Sequence, residues 1–388
     1  MRVRRIGDLF TIAKGKKYED TQANAANEMV RYIQIEDLRN DNNIKMVNKI
    51  ENGVYVTSND VLIAWDGANA GTIGYNLTGI IGSTLAVLRP RDSDNYIPYI
   101  AMFLRSKNSY LRDNCTGATI PHINKKVLED IEVPLPSYDQ QKEIAYLLDK
   151  AQALIDKRKQ AISKLDELVQ AVFLDMFGDP VKNLHNYTVV KMDSILDFLT
   201  SGSRGWAQYF TSSGDLFITI KNVKNGRLWL DDMTYVKAPN TKEAERTKVK
   251  YRDLLLSITA DLGRTAVVDE YTADKGAHIN QHLSILRLNQ RCNPYYMAHY
   301  LESAGGKIQF ASLDQVGVKS GLNFNAIKSL NVILPPIEEQ NRFEANLKKI
   351  QQEKEKQLKS LQHLESNFQA LLQKAFKGEL KVKDGVVV

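Results

Sequence analysis

Few residues of this 388-residue chain stand at the spacings that covalent chemistry needs. Asn293-Pro294-Tyr295 is one proline short of the Asn/Asp-Pro-Pro-aromatic loop of a self-sufficient methyltransferase. Gly67, Gly71 and Gly74 do not follow the G-x-G-x-x-G turn, and Gly305-Gly306-Lys307 lacks the upstream glycine of a phosphate loop. His278 and His282 are four apart without the intervening glutamate of a zinc peptidase, in a stretch that reads as strand or turn, so no metal is expected. Cys115 and Cys292, the only cysteines, fall outside any C-x-x-C spacing, which argues against a disulfide framework or a thiolate site and suits a reducing cytoplasm. A catalytic role is disfavoured, and binding is what remains.

Charge indicates the kind of partner. The net charge of +6 and pI near 8.9 suit a polyanion. Arg2, Arg4 and Arg5 open the chain, and Lys14, Lys16 and Lys17 surround Gly15 in an expected loop, although a solvated charged surface would look the same. With no basic-plus-apolar leader and no run of about 18 apolar residues, the expectation is a soluble cytoplasmic protein with no membrane partner. At 43% hydrophobic and 25% charged, 388 residues can bury more than one core.

The elements that position these groups occur twice. At a shift of 199 the chain matches itself without gaps from Val133 to Phe177, pairing Pro136 with Pro335, Gln141 with Gln340, Leu148 with Leu347 and Gln170-Ala171 with Gln369-Ala370. Upstream the match continues with gaps: Tyr32-Ile33-Gln34-Ile35 with Phe217-Ile218-Thr219-Ile220, Val61-Leu62-Ile63 with Leu254-Leu255-Leu256, Leu85 to Arg89 with Leu283 to Arg287, and Pro98-Tyr99 with Pro294-Tyr295. Short runs rich in Ile, Val and Leu, punctuated by Gly, Asn and Asp, predict a mixed α/β domain in each half, with a helical piece around Tyr99 to Leu104 and Tyr295 to Leu301. The strand order is not derivable from these runs.

After each globular half comes a proline boundary and a long stretch free of Pro and Gly. Ser137 with Gln140 makes a capping-box start for the first, Pro336 starts the second, and Gly178-Asp179-Pro180 and Gly378 end them. Ile144, Leu148, Ala151, Ile155, Arg158, Ile162, Leu165, Val169, Val172 and Met176 alternate spacings of four and three, as do Phe343, Leu347, Ile350, Lys354, Gln357, Leu361, Leu364, Phe368, Leu371 and Ala375. That is a coiled-coil stripe, and about 40 residues make a helix of roughly 60 Å. The second helix can bury its stripe on the first only by running back, so the two are expected to pack antiparallel, with Arg158 and Lys354-Gln357 as polar interruptions. The expected fold is α+β: two similar mixed domains (1–136 and 179–335), long helices at 137–178 and 336–378, and a tail at 379–388 that returns to the first domain, giving pseudo-two-fold symmetry.

In this order, Leu135-Pro136 with Gln141, a helix ending Met176-Phe177-Gly178-Asp179-Pro180, then Leu334-Pro335-Pro336 with Glu339-Gln340 and a helix ending Ala375-Phe376-Lys377-Gly378-Glu379-Leu380, the chain resembles the specificity subunits of type I restriction-modification enzymes over nearly its whole length. Gln140 and Ser137 stand where the second copy has Glu339 and Pro336. The resemblance implies two target-recognition domains, each reading one half of a split, asymmetric site on double-stranded DNA. It implies that the helices act as a ruler and as a platform for two modification (methyltransferase) subunits. S-adenosylmethionine would come with those subunits, and ATP and Mg with restriction (translocase/endonuclease) subunits, so this chain itself would bind no cofactor.

Base edges need paired donors and acceptors, and phosphates need cations and backbone N–H groups. Under that resemblance the candidates in the first half are Lys14, Lys16, Lys17 and Tyr18, Trp65 and Asn69 in the Gly-rich turn, and His122. In the second they are Ser201, Ser203, Arg204, Trp206, Arg264, Gln281, His282 and Lys319, while Thr72 and Thr265 align as parts of the frame. Ordinary surface or core duty competes at each position, above all for Trp65 and Trp206. A coiled-coil scaffold without DNA reading is the alternative; it accounts for the helices but not for the duplicated Gly-turn domains.

Overall fold

A computed structural model describes residues 2–18, 28–117, 119–313 and 321–380, and the backbone of 382–383 and 386–387. Lys319 lies outside the described residues. The chain divides into two compact units, residues 1–160 with 358–388, and residues 161–357. Each long helix is one continuous element, and about half of it belongs to each unit. The reason is that side chains near each helix end enter the core of the globular part beside them.

In the first unit a four-stranded antiparallel sheet runs Phe10–Lys14, Leu85–Pro90, Val61–Ala64, Ile73–Tyr75. The apolar runs Val61–Ala64 and Leu85–Leu88 do not alternate with polar residues because both faces are covered. Val61, Ile63, Ala86 and Leu88 enter one core, while Leu62, Ala64, Leu85 and Val87 enter another. A second sheet runs Lys45–Asn48, Met29–Ile33, Gly79–Ile81, Tyr55–Val56, with only Met29–Ile33 and Gly79–Ile81 parallel. Arg2–Arg5 pairs with Glu132–Leu135 at the foot of the head.

The second unit repeats this plan. Its main sheet runs Leu196–Ser201, Leu283–Leu288, Leu254–Ser257, Thr265–Val267, again between two cores, and Thr188–Lys191 pairs with Asn331–Leu334 at the foot. Its other sheet differs at the edge. The order is Phe210–Thr211, Thr234–Val236, Asp215–Ile218, Ala277–Ile279, so the extra strand lies on the opposite side from Tyr55–Val56. A hairpin, Val223–Lys224 with Arg227–Leu228, is a further addition.

The long helices are Tyr138–Phe177 and Ile337–Lys377. Ser137 and Gln140 make the reciprocal capping-box bonds, Gln140 N–H to Ser137 Oγ at 3.4 Å and Ser137 N–H to Gln140 Oε1 at 3.2 Å. The second helix begins one residue later than the Pro336 start read from the sequence, with Pro336 O accepting from Gln340 N–H. Gly178 and Gly378 end the helices at φ of 71° and 75°, where glycine avoids the Cβ clash.

The helices run antiparallel within each unit. In the first, Ser137, Gln140 and Ile144 lie beside Ala375 and Gly378, and Lys159 pairs with Glu365 at 2.8 Å. In the second, Phe343 meets Phe173 and Phe177, and Lys354 pairs with Asp166. Lys354 thus finds an ion pair across the stripe it interrupts. Ile144, Leu148, Ile155, Phe343 and Leu347 are buried, whereas Ala151, Ile162, Leu165, Val169, Ile350, Leu361, Leu364, Phe368 and Leu371 are half-buried. The positions beside the stripe hold the heads. Phe173 and Phe177 pack on Tyr296 at 5.9 and 4.7 Å, and Phe376 packs on Tyr99 and Phe103 at 5.5 and 5.1 Å. Leu380 closes the first unit's core, and beyond it Val382–Lys383 pairs with Val386–Val387.

One alignment is corrected by a residue. Tyr99 corresponds to Tyr296, not Tyr295, because their hydroxyls donate to Pro134 O and Ile333 O, positions that match at the 199 shift. The short helices are Ile97–Ser106 and Pro294–Glu302.

Candidate nucleic-acid interface

Three loops converge at one end of the main sheet in the first head, and their backbone bonds are reproduced in the second. Gly15 N–H donates to Leu85 O and Gly202 N–H to Leu283 O; Trp65 N–H donates to Thr84 O and Ile258 N–H to His282 O; Ile123 N–H donates to Trp65 O and Leu322 N–H to Ile258 O, all within 3.0 Å. Gly15 and Gly202 sit so close to the opposing strand that an added Cβ would lie 2.1 Å from Gly82 O or Asn280 O. The frame is shared, and the side chains set in it are not.

In the first head the shared carboxylate of Asp66 joins two candidates. Lys14 Nζ reaches Asp66 Oδ2 at 2.6 Å and His122 Nδ1 reaches Oδ1 at 2.6 Å, with an antiparallel bridge between residues 66 and 122. Burial works to raise the Asp66 pKa, but hydrogen bonds from Lys14 and His122, with their charge, pull it below the usual carboxylate value. Asn69 is exposed and its Oδ1 accepts from Arg39 Nη2 at 2.7 Å. Lys16 and Lys17 are exposed, with Lys16 Nζ on Asn52 O at 3.3 Å. Tyr18 and Trp65 serve the frame instead: the Tyr18 hydroxyl accepts from Val54 N–H at 2.8 Å, and Trp65 packs half-buried on the core.

In the second head Arg204 is exposed, Arg264 pairs with Asp261, and Arg246 donates to Thr200 Oγ1 and Ser201 O. His282 is held at both nitrogens, by Thr259 Oγ1 and by Gln281 Nε2 at 2.9 Å. Trp206 belongs to a core: it is 5% exposed, packs at a tilt on Phe217 and His278, and donates Nε1–H to Ser203 Oγ at 2.9 Å. A buried ring already committed to packing is not presented to a duplex. His278 is buried beside Asp215 at 3.3 Å, apart from any group of metal-ligating residues among those described. Asp66, Arg39 and Arg246 were missed by the sequence reading, since each acts through a partner distant along the chain.

The sequence matches the family described as Type I restriction modification DNA specificity domain over residues 1–167 and 186–365, so both heads are covered. The chain belongs to that family. Its type I specificity relatives include the MjaVIII specificity subunit of Methanocaldococcus jannaschii, 25% identical with 98% of this chain and 93% of the relative aligned. The EcoBI specificity subunit of Escherichia coli is 22% identical over 97% of this chain and 85% of the relative. Among solved structures, a chain from a study of assembly and conformational transition of the type I R-M system superposes with TM-score 0.62 at 20% identity, covering 98% of each chain. The S subunit from M. genitalium gives 0.55 at 16% identity, covering 97% and 96%. No helix among the described residues is long and apolar enough to cross a membrane.

Proposed function

We propose that this chain is the DNA-reading specificity subunit of a type I restriction-modification assembly and that it performs no catalysis itself. One observation carries the reading: the heads keep the same hydrogen-bonded loop frame while exchanging Lys14, Asp66 and His122 for Ser201, Thr259 and Gly321 at matching places. A constant frame with changed side chains is what two readers of different base sequences require. Each head then reads one half of a split, asymmetric duplex site, with Lys14, Lys16, Lys17, Asn69, His122, Arg204, Arg264 and Gln281 as the contact set. The long helices offer a platform for two modification subunits, which bring S-adenosylmethionine, and restriction subunits bring ATP and Mg. The assembly works in the cytoplasm.

Retention of duplex DNA on a filter tests this, using the chain with its modification subunit. Binding is expected to be sequence-specific and to fall steeply with salt, by roughly 1000-fold between 50 and 200 mM if about six phosphates are neutralised. Retention that is absent, or indifferent to salt, favours the scaffold instead.

A further inference from the structure

Asp66 and His122 form an exposed pair in the first head, where the matching places of the second hold Thr259 and Gly321. The His122 backbone is pinned by bonds in both directions with Thr116, at 2.9 and 2.7 Å, while its neighbour Ile123 donates to Trp65 O. The ring is therefore carried on backbone bonded to Thr116 on one side and, through Ile123, to Trp65 on the other. Its Nδ1 lies 2.6 Å from Asp66 Oδ1, and the other carboxylate oxygen is held by Lys14. The His122 side chain is 45% exposed, and its Nε2 has no hydrogen-bond partner among the described residues. Beside it Gly67 faces open space, with no atom within 4 Å of where a Cβ would stand.

An ionised carboxylate can only accept, so the proton of this bond sits on Nδ1; a ring carrying that single proton has its lone pair on Nε2. On the major-groove edge the donors that such a lone pair can meet are the exocyclic amines, N6 of adenine and N4 of cytosine. We propose, building on the DNA-reading function above, that Asp66 is a positioning residue that fixes His122 as an outward-facing acceptor, and that His122 selects an adenine or cytosine amino group in the first half-site. In the second head the matching positions are Thr259 and Gly321, which contain neither group, so this selection belongs to one half-site only.

The test uses the chain complexed with its modification subunit at pH 8. A random duplex library first defines the recognised motif. Each adenine or cytosine of the first half-site is then replaced by purine or pyrimidin-2-one, which lack the amino group. At one position the loss of that group is expected to weaken wild-type binding about three- to tenfold and to weaken His122→Ala no further. Asp66→Asn loses the same discrimination, Asp66→Glu recovers part of it, and the second half-site is unchanged in every variant. His122 is half-exposed, so the His122→Ala comparison stands even if Asp66→Asn fails to fold. The proposal is overturned if no position couples to His122, or if His122→Ala weakens all sequences equally as a phosphate contact would. Should the wild-type complex enrich no motif, the DNA-reading function falls and this selection with it; a motif unaltered by His122→Ala removes the selection alone.

Discussion

The side-chain oxygen of Gln340 accepts the backbone N–H of Asn293 at 2.8 Å, inside a fully buried site. Its amide donates in turn to Pro335 O at 2.7 Å and Arg291 O at 3.3 Å. One glutamine thereby stitches the start of a long helix to the first residue before a short one. Gln141 makes the same stitch in the first unit, to Tyr96 N–H at 2.9 Å and Pro136 O at 3.1 Å. Gln340→Ala deprives a buried N–H and two carbonyls of these bonds, so a loss of about 2–3 kcal/mol is expected, read as a fall of several degrees in the thermal midpoint. A change within measurement error would show that the bonds are replaced.

Glu344, also buried, takes three hydrogen bonds from Arg252 at 3.0–3.1 Å, one from Lys348 at 2.7 Å and one from Asn293 Nδ2 at 2.6 Å. Burial pushes its pKa up, but the bonds from Arg252, Lys348 and Asn293 overcome this and hold it at about 2, below the ordinary 4.5. Because the folded value is the lower one, the stabilisation is complete above pH 4.5 and disappears as pH falls towards 2. Glu344→Gln is expected to cost about 2 kcal/mol at neutral pH, with the gap to wild type closing over that window in urea titrations. A gap that stays constant down to pH 2 contradicts the assignment.

His299 is 4% exposed, and neither ring nitrogen has a hydrogen-bond partner among the described residues. Burial lowers its pKa from 6.5 to about 4. The unfolded chain therefore takes up a proton first as pH drops, and stability is lost between pH 6.5 and 4. Met102 fills the matching place in the first head, so His299→Met is the natural replacement. It is expected to abolish this loss, on the order of 2–3 kcal/mol by pH 4. Parallel pH profiles for wild type and variant would refute it.

Trp206→Ala separates packing from contact. Removing this ring from among Phe217, Tyr209 and His278 is expected to destabilise the second head by about 3–5 kcal/mol, lowering its unfolding midpoint with or without DNA. Arg204→Ala, two residues away and exposed, should leave the midpoint alone and lower the salt slope of DNA binding by about one. An unchanged midpoint in Trp206→Ala would return that ring to the list of contact groups.

The duplication was legible because matching residues recur at one fixed shift, and the helices because their signals are local. The caps at Ser137 and Gln140, the stops at Gly178 and Gly378 and the 3-4 stripe all lie within a few turns of the residues they govern. Strand order was not, since Met29–Ile33 chooses Gly79–Ile81 as its parallel neighbour across some fifty residues. The Pro98-Tyr99 dipeptide misled the alignment because a repeated pair of letters outweighed a hydroxyl whose partner lay 35 positions away. The stripe itself hid Phe173, Phe177 and Phe376: heptad logic tracks the face toward the other helix, while these rings also pack on the heads. Of the contact candidates, residue type found the loops, but it did not show that Asp66 ties Lys14 to His122 or that Trp206 is spoken for by the core.

Phe376 and Leu380 complete the interior of a head whose strands begin at Arg2. On the ribosome, that head is begun before the second and completed after it. At about 5–20 residues per second, the roughly 200 residues between Phe177 and Phe376 take on the order of 10–40 s to emerge. During that interval Tyr99 and Phe103 face water or a chaperone, so nascent chains truncated within the second head should be the aggregation-prone species in the cell.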